Sequence, residues 1–563
     1  MAADLQVCGE AQYTDDIPPP PGTLHAALVP STQAHARLLG VDKGPALLVP
    51  GVVGVFTAED VPGGNDIGAV AHDEELFATV GFWILGGGRG VLGWHGRPNL
   101  AATSVLIAAA HGAARPAPPC PLIGSHSKVF LLPPTSTPQE IVPCVGHPIG
   151  VVVAETEAAA RAGARAVAVR YEPLPALLDI DDAIAAGSFI EGWGHSVHSG
   201  DCALALEASD VVLEGWVKMG GQGRAGFVPR CDHSRAMGQG STCPHLFGAR
   251  SRPRPGVHPH SYCECLAGHP LPPPAIHGRP LLHKQEHFYL EPNASLVIPG
   301  EGGEVTSFSS SQCPDKHHRY LAHVLGLPMH KVTVRTKRLG GGFGGKETRS
   351  AFVNAAAAVP AHLLRRPVRI CLDRDEDMHI TGQRHAFAAK YRIGLSSAGE
   401  IRALDVDIYN NAGYSLDLSF SIMDRALTHI DSVYRIPAIR AQARGWQGGW
   451  GMGMLIMEQI MERVAKEMDI PLNTLRERNM YNEGDVTHFG QRLEGCQARR
   501  CWEEVHTLSG WAAREADVAA FNAANRFRKR GLSLLPTKFG ISFTTKFMNQ
   551  AGALIHCYTG EEV

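Results

Sequence analysis

The sequence lacks a strong charge of either sign, a long apolar run and an ordered cysteine framework. Lys and Arg total 52 against 55 Asp and Glu, for a formal charge of −3 without a basic block. A nucleic-acid binder needs a Lys/Arg footprint, so that class has no support. No apolar run approaches the roughly 20 residues needed to span a bilayer, and MAADLQVCGE has neither the basic nor the apolar region of a secretory signal. A soluble chain without a membrane partner is expected. The thirteen cysteines are scattered, which suits a reducing compartment. None of them has the spacing of a ferredoxin-type iron–sulfur module. There is no internal repeat, and 563 residues is enough for about three to four domains with cores of their own.

What is present is a series of well-patterned segments broken by two irregular ones. TLHAALV and GVVGVF read as strands and DDIPPPPG as a turn. Residues 146–184 read as strand, helix, strand, strand: IGVVVA is a buried strand, 155–166 a helix, and AVAVRYE a strand that follows directly, a small α/β unit. Residues 80–138 and 222–284 are rich in Gly, Pro and His with little periodicity, and read as insertions or retained intronic sequence. The second holds Cys231, His233, Cys243, His245, His258, His260, Cys263, Cys265 and His269. Their C-x-H and C-x-C spacings are too tight for the common zinc pairs, so disorder is the preferred reading. Beyond 285, GEVTSFSSS reads as a strand and KHHRYLAHVLGL as a helix, and YRIGLSSAGEIRALDVDIYNNAG reads as a hairpin turning at Ser-Ala-Gly. Residues 452–468 form an amphipathic helix in which Ile456, Ile460 and Val464 face the core. SLLPTKFGISFT and AGALIHCYTG read as late strands.

RLGGGFGGKETRS (338–350) stands between a strand pattern, 331–339, and a mainly Ala-rich helical one, 347–364, that contains Pro360. It satisfies G-x-G-x-x-G and most of a phosphate loop. The position after Lys346, however, holds Glu347 where a Ser or Thr would bind Mg²⁺. A carboxylate at a helix start also occupies the field that would attract phosphate. A nucleotide loop and a plain tight turn both stay open on these residues alone.

Longer matches go further: CGEAQYTDDIP (8–18), GHPIGVVVAET (146–156), QEHFYLEPNASLVIP (285–299), RLGGGFGGKETRSAF (338–352), LDRDEDMHITGQRH (372–385), NNAGYSLDLSFSIMDRALTHID (410–431), NMYNEGDVTHFGQRLEG (479–495) and PTKFGISFTTKFMNQAGALIHCYT (536–559). In these the chain resembles the molybdenum hydroxylases of the xanthine dehydrogenase/aldehyde oxidase family, over most of its length outside the two irregular segments.

The resemblance implies an α+β fold, an α/β hammerhead domain followed by an incomplete molybdopterin-binding domain, with two irregular insertions. The expected layout is a hammerhead at 1–190, a connection at 191–221, an insertion at 222–284, a first molybdopterin-binding subdomain at 285–520 and the start of a second at 521–563. It implies a molybdenum centre that hydroxylates an electron-poor purine carbon with oxygen from water, passing the electrons out through the pterin. By motif, Gln312 would lie beside the metal and Phe343 would pack against the molybdenum centre. Gly342 and Gly344 would let the backbone close on the cofactor. Glu347 would hydrogen-bond the purine edge and serve as a proton donor. Arg425 would orient the purine carbonyl and stabilise charge developing there. Phe543 would stack on the substrate and Thr544 would hydrogen-bond it. The Glu347–Arg425 combination goes with purines in this family, whereas aldehyde oxidases carry uncharged residues there. Hypoxanthine and xanthine are therefore the favoured substrates, with aldehydes or other N-heterocycles second. The bland alternatives are a strand-end amide at Gln312, core packing at Phe343, a helix-start charge at Glu347, a surface ion pair at Arg425 and ordinary strand residues at 543–544.

Three departures accompany the match. The family's TAFRGFGGPQ-type segment is shortened at 438–455, where Arg444, Gly445 and Trp446 take no assigned role. The late pterin loops and the glutamate that acts as catalytic base have no counterpart, and neither do the 2Fe-2S and FAD modules. The chain by itself is expected to be inactive, as part of a homodimeric enzyme in the cytoplasm or, alternatively, the peroxisome. A cofactor-free, non-catalytic interaction fragment is the competing expectation.

Overall fold

The computed structural model describes residues 3–68, 73–80, 140–189, 195–219, 286–382, 384–443, 452–542, 549, 551–553 and 555. Phe543 and Thr544, the Arg444–Trp446 stretch and the Cys/His cluster of 231–269 lie outside the described residues.

The principal sheet has seven strands, and its order runs Val332–Arg335, Val305–Ser309, Ala294–Pro299, Val368–Cys371, Leu24–Pro30, Pro148–Ala154, Val52–Thr57. Segments far apart in the sequence meet at its middle, where Leu24–Pro30 pairs in parallel with Val368–Cys371 (Leu24 opposite Val368). The continuous apolar run PIGVVVA explains the centre of the near half. All seven residues are buried, with antiparallel partners on both sides. Thr156 then caps the Glu157–Ala166 helix, its hydroxyl accepting the Ala159 N–H at 3.2 Å. The Ala168–Pro173 strand follows, as the sequence predicts, in a small sheet with Ala36–Asp42.

The Arg349–Leu364 helix packs on the far half of the principal sheet, and twelve of its sixteen residues are buried. Its alanines let sheet and helix approach closely. Pro360 sits inside it without ending it, because Arg365, with φ +53°, closes the helix five residues later.

A second sheet of five strands has the order Ser196–Ser199, Ala438–Ala443, Ile401–Asn410, Phe387–Leu395, Val211–Met219. The predicted hairpin forms, with Ile393 opposite Leu404. The predicted Met452–Glu467 helix packs on this sheet through Ile456, Ile460 and Val464, all buried.

The late strand expected at SLLPTKFGISFT is absent from its described residues, for 533–542 carry no strand pairing. Here side chains hold the backbone in place of a ladder. Arg476 donates to the Leu534 carbonyl at 3.0 Å, Lys538 pairs with buried Asp431, and the Gly540 N–H donates to His429 Nε2 at 2.8 Å. The described residues of 551–560 carry no strand either.

Candidate active site

A cavity of about 690 Å³ opens where the two sheet systems meet. One wall is the glycine loop with Gln312, and the other is Asp417, Leu418 and Ile422 at the start of the Ser419–Thr428 helix.

The loop is shaped chiefly by the chain's own close contacts. A Cβ at Gly340 would stand 2.5 Å from Glu291 Cβ, at Gly342 2.5 Å from Gln312 Oε1, and at Gly345 2.8 Å from the His287 ring. Gly344 is different. It has φ +93°, lines the cavity and has open space where a Cβ would point. Phe343 beside it holds φ +52°, a left-handed backbone costly for an aromatic residue, yet its ring is 73 % exposed. Core packing therefore does not explain Phe343.

Gln312 is held by its oxygen. Oε1 accepts the N–H groups of Gly344 at 3.0 Å and Lys346 at 3.1 Å. Backbone N–H groups only donate, so the atom facing them must be the oxygen, and the amide NH₂ is left without a hydrogen bond among the described residues. Lys346, which a phosphate loop would present to its ligand, points inward. Fully buried, its ammonium donates to the Glu291 carbonyl at 2.6 Å and pairs with the Glu291 carboxylate at 3.1 Å. The nucleotide reading of the loop ends there.

Glu347 lines the cavity, and its carboxylate makes no hydrogen bond among the described residues. Burial, with Asp417 adding repulsion and Lys316 opposing, raises its pKa above the ordinary carboxylate value. Arg425 is on the same helix as Ile422 but looks elsewhere. It is 4 % exposed, donates to the Gly540 carbonyl at 3.2 Å and to the Ser542 carbonyl, and lies over the Phe539 ring. The structure thus gathers Gln312, Phe343, Gly344 and Glu347 around one space, with Gly342 seated against Gln312, and leaves Arg425 bound to the 540–542 segment.

These features fit a bulky, oxygen-bearing cofactor: an unengaged amide NH₂, an exposed aromatic on strained backbone and a glycine with room in front of it. The comparisons agree. Residues 275–480 match the family model of the molybdopterin cofactor-binding domain, and residues 8–83 match that of the aldehyde oxidase and xanthine dehydrogenase a/b hammerhead domain. This chain belongs to the xanthine dehydrogenase/aldehyde oxidase family of molybdenum hydroxylases. It is 41% identical to xanthine dehydrogenase 2 of Arabidopsis thaliana over 99% of its own length and 33% of that protein's. To the xanthine dehydrogenase/oxidase of Felis catus it is 37% identical, over 100% of this chain and 34% of that protein. The chain therefore spans about a third of the length of these relatives. Among solved structures, the aldehyde oxidoreductase of Desulfovibrio gigas superposes with a TM-score of 0.63 at 21% identity, covering 92% of this chain and 46% of that one. The expected combination of hammerhead and molybdopterin-binding regions is thereby present.

Sequence reasoning missed several residues that this family member brings to the cavity. His287, Arg384, His385 and Asp417 line it, and burial lowers the pKa of both histidines, His385 to about 4. Asp417 sits at φ +40°, and one carboxylate oxygen is buried without a hydrogen bond. All four fall within or at the edge of quoted family matches, but nothing in their local spacing marks them, because they come together only in space.

Proposed function

We propose that this chain forms the substrate-facing part of a molybdenum-cofactor-dependent purine hydroxylase that takes hypoxanthine and xanthine. The observation that carries the reading is Glu347, a half-buried carboxylate of raised pKa that faces the cavity without a hydrogen-bonding partner among the described residues. A purine edge presents adjacent ring donors and acceptors. A carboxyl group that exchanges its proton easily can pair with such an edge in either protonation state. An aldehyde offers no such edge.

Gln312, Phe343 and the open face of Gly344 are the residues that would hold the cofactor. When bound, that group supplies the oxygen-transfer and two-electron chemistry. The Gln312 amide nitrogen would be available to donate a hydrogen bond to that group, and the exposed Phe343 ring would shield it from water. Glu347 fixes the ring orientation and holds a proton at its carboxyl oxygen. Arg425 can meet a purine carbonyl only after the 540–542 carbonyls give up its guanidinium, so its part in the reading requires that segment to move.

The test uses a protein of the full family length carrying this chain, assayed for molybdenum content and for hypoxanthine and xanthine oxidation. Glu347→Gln and Arg425→Ala should each lower purine turnover by on the order of 10²-fold while metal content holds. Unchanged purine kinetics in Glu347→Gln would remove the assigned role. Absence of molybdenum from the full-length protein would favour the non-catalytic reading, which the engaged Arg425 also fits.

A further inference from the structure

Four buried side chains behind the glycine loop form a hydrogen-bonded line whose polarity follows from elementary chemistry. Ser350 Oγ is 3.0 Å from the Lys346 carbonyl oxygen. A carbonyl cannot donate, so the hydroxyl proton is committed there. His317 Nε2 lies 2.9 Å from the same Oγ and must carry a proton of its own. Burial pushes the His317 pKa down to about 3, so the ring is neutral and Nδ1 is a bare acceptor. Asn354 fills it with an Nδ2 N–H at 2.9 Å, which leaves Asn354 Oδ1 to accept the Ser307 hydroxyl at 2.7 Å. The opposite amide orientation would need a second proton on a histidine sealed from water. His317, Asn354 and Ser307 are 0 % exposed and Ser350 1 %.

Two further observations give the line a destination. Ser350 and Asn354 are the polar residues among the twelve buried ones in the Arg349–Leu364 helix, and they are one turn apart on either side of the same imidazole. Four apolar side chains would fill this space without any desolvation cost, so the polar line calls for a purpose. At its far end, Lys346 clamps Gln312 twice, through the two peptide groups that flank its Cα. The Lys346 carbonyl accepts the Gln312 N–H at 2.9 Å, and the Lys346 N–H donates to Gln312 Oε1 at 3.1 Å.

We propose that His317 is a positioning residue: as the neutral Nε2–H tautomer it directs the Ser307–Asn354–His317–Ser350 line onto the Lys346 carbonyl, fixing the residue whose carbonyl holds the Gln312 backbone and whose N–H helps turn the Gln312 amide nitrogen into the cavity. The Nε2–H direction stands on hydrogen-bond geometry, and the neutral ring and the Asn354 orientation on the complete burial of His317. Only the destination, Gln312 facing the cofactor, rests on the functional reading above.

The test is nuclear magnetic resonance on the chain with ¹⁵N-labelled histidine and glutamine, with amide exchange read in parallel. His317 should show the Nε2–H tautomer. His317→Gln, which offers a donor and an acceptor along the same line, should retain the Gln312 side-chain resonance and the protection of the Gly344 and Lys346 amides. His317→Leu should shift that resonance and speed exchange at both amides about tenfold, the equivalent of one lost hydrogen bond. An Nδ1–H tautomer or an imidazolium would overturn the proposal, and so would a folded His317→Leu with wild-type protection. If His317→Leu does not fold, loss of Gly344 and Lys346 protection in His317→Gln overturns it instead. Should the tautomer and protection hold while Gln312→Ala in the full-length protein keeps its molybdenum and its purine turnover, the role given to Gln312 falls and the positioning device stands.

Discussion

The guanidinium of Arg349 grips the carboxylate of Glu74 across 275 residues of sequence, both nitrogen–oxygen pairs engaged and the Glu74 side chain fully buried. Tyr414 adds its hydroxyl to Glu74 at 2.8 Å, and Asp417 stands 3.4 Å from the guanidinium on the cavity side. The pair ties the N-terminal region to the helix that follows the glycine loop.

Removing Glu74 leaves the buried guanidinium with only the longer ion pair to Asp417. Glu74→Ala should cost on the order of 3–5 kcal/mol, read as a lowered urea midpoint. The double variant Glu74→Leu/Arg349→Met should recover much of that loss. Additive losses in the double variant would show that the pair is not coupled.

Phe343 holds a strained backbone for an exposed ring. Phe343→Gly relieves left-handed strain while adding chain entropy to the unfolded state, so its stability should stay within about 1 kcal/mol of the parent. In the full-length protein the same change should lower molybdenum content. A stability loss of several kcal/mol with normal metal loading would mean that the ring serves packing.

Lys346 is a buried ammonium paired with Glu291, so its role is structural. Lys346→Met should destabilise the chain by a few kcal/mol by stranding the carboxylate. Nucleoside triphosphates should leave the thermal midpoint of the parent unchanged. A midpoint that rises with nucleotide would reopen the phosphate-loop reading.

His147, His385 and His429 each have a pKa lowered to about 4, burial being the first cause in all three. In the unfolded chain these rings take up protons below about 6.5, whereas the folded protein refuses them until about pH 4. Their contribution is therefore complete above pH 6.5 and is lost as pH falls from there to about 4. Urea midpoints should drop across that window, and His147→Leu should flatten the slope. A midpoint independent of pH from 6.5 to 4 would refute the assignment.

Much of the fold is legible in the residues themselves. IGVVVA declares a buried strand, 155–166 a helix, and Ile456, Ile460 and Val464 the inner face of another helix, because these signals are periodic and local. SLLPTKFGIS misleads for the same reason. Its alternation is that of a strand, but a strand needs a ladder partner, and Arg476, Asp431 and His429 hold the segment with side chains instead.

For the site, the sequence by itself marked the glycine loop with Phe343 and Glu347 as one motif, since neighbouring residues carry their spacing with them, while Gln312 was named only through the family resemblance. Tertiary structure decided the rest. It turned Lys346 inward, gave Gln312 Oε1 to two backbone N–H groups, engaged Arg425 with carbonyls more than a hundred residues downstream, and brought Asp417, Arg384 and His385 to the cavity wall. Which way a polar side chain faces depends on which donors and acceptors surround it once the chain is packed. Those partners come from distant segments, so no local pattern records them.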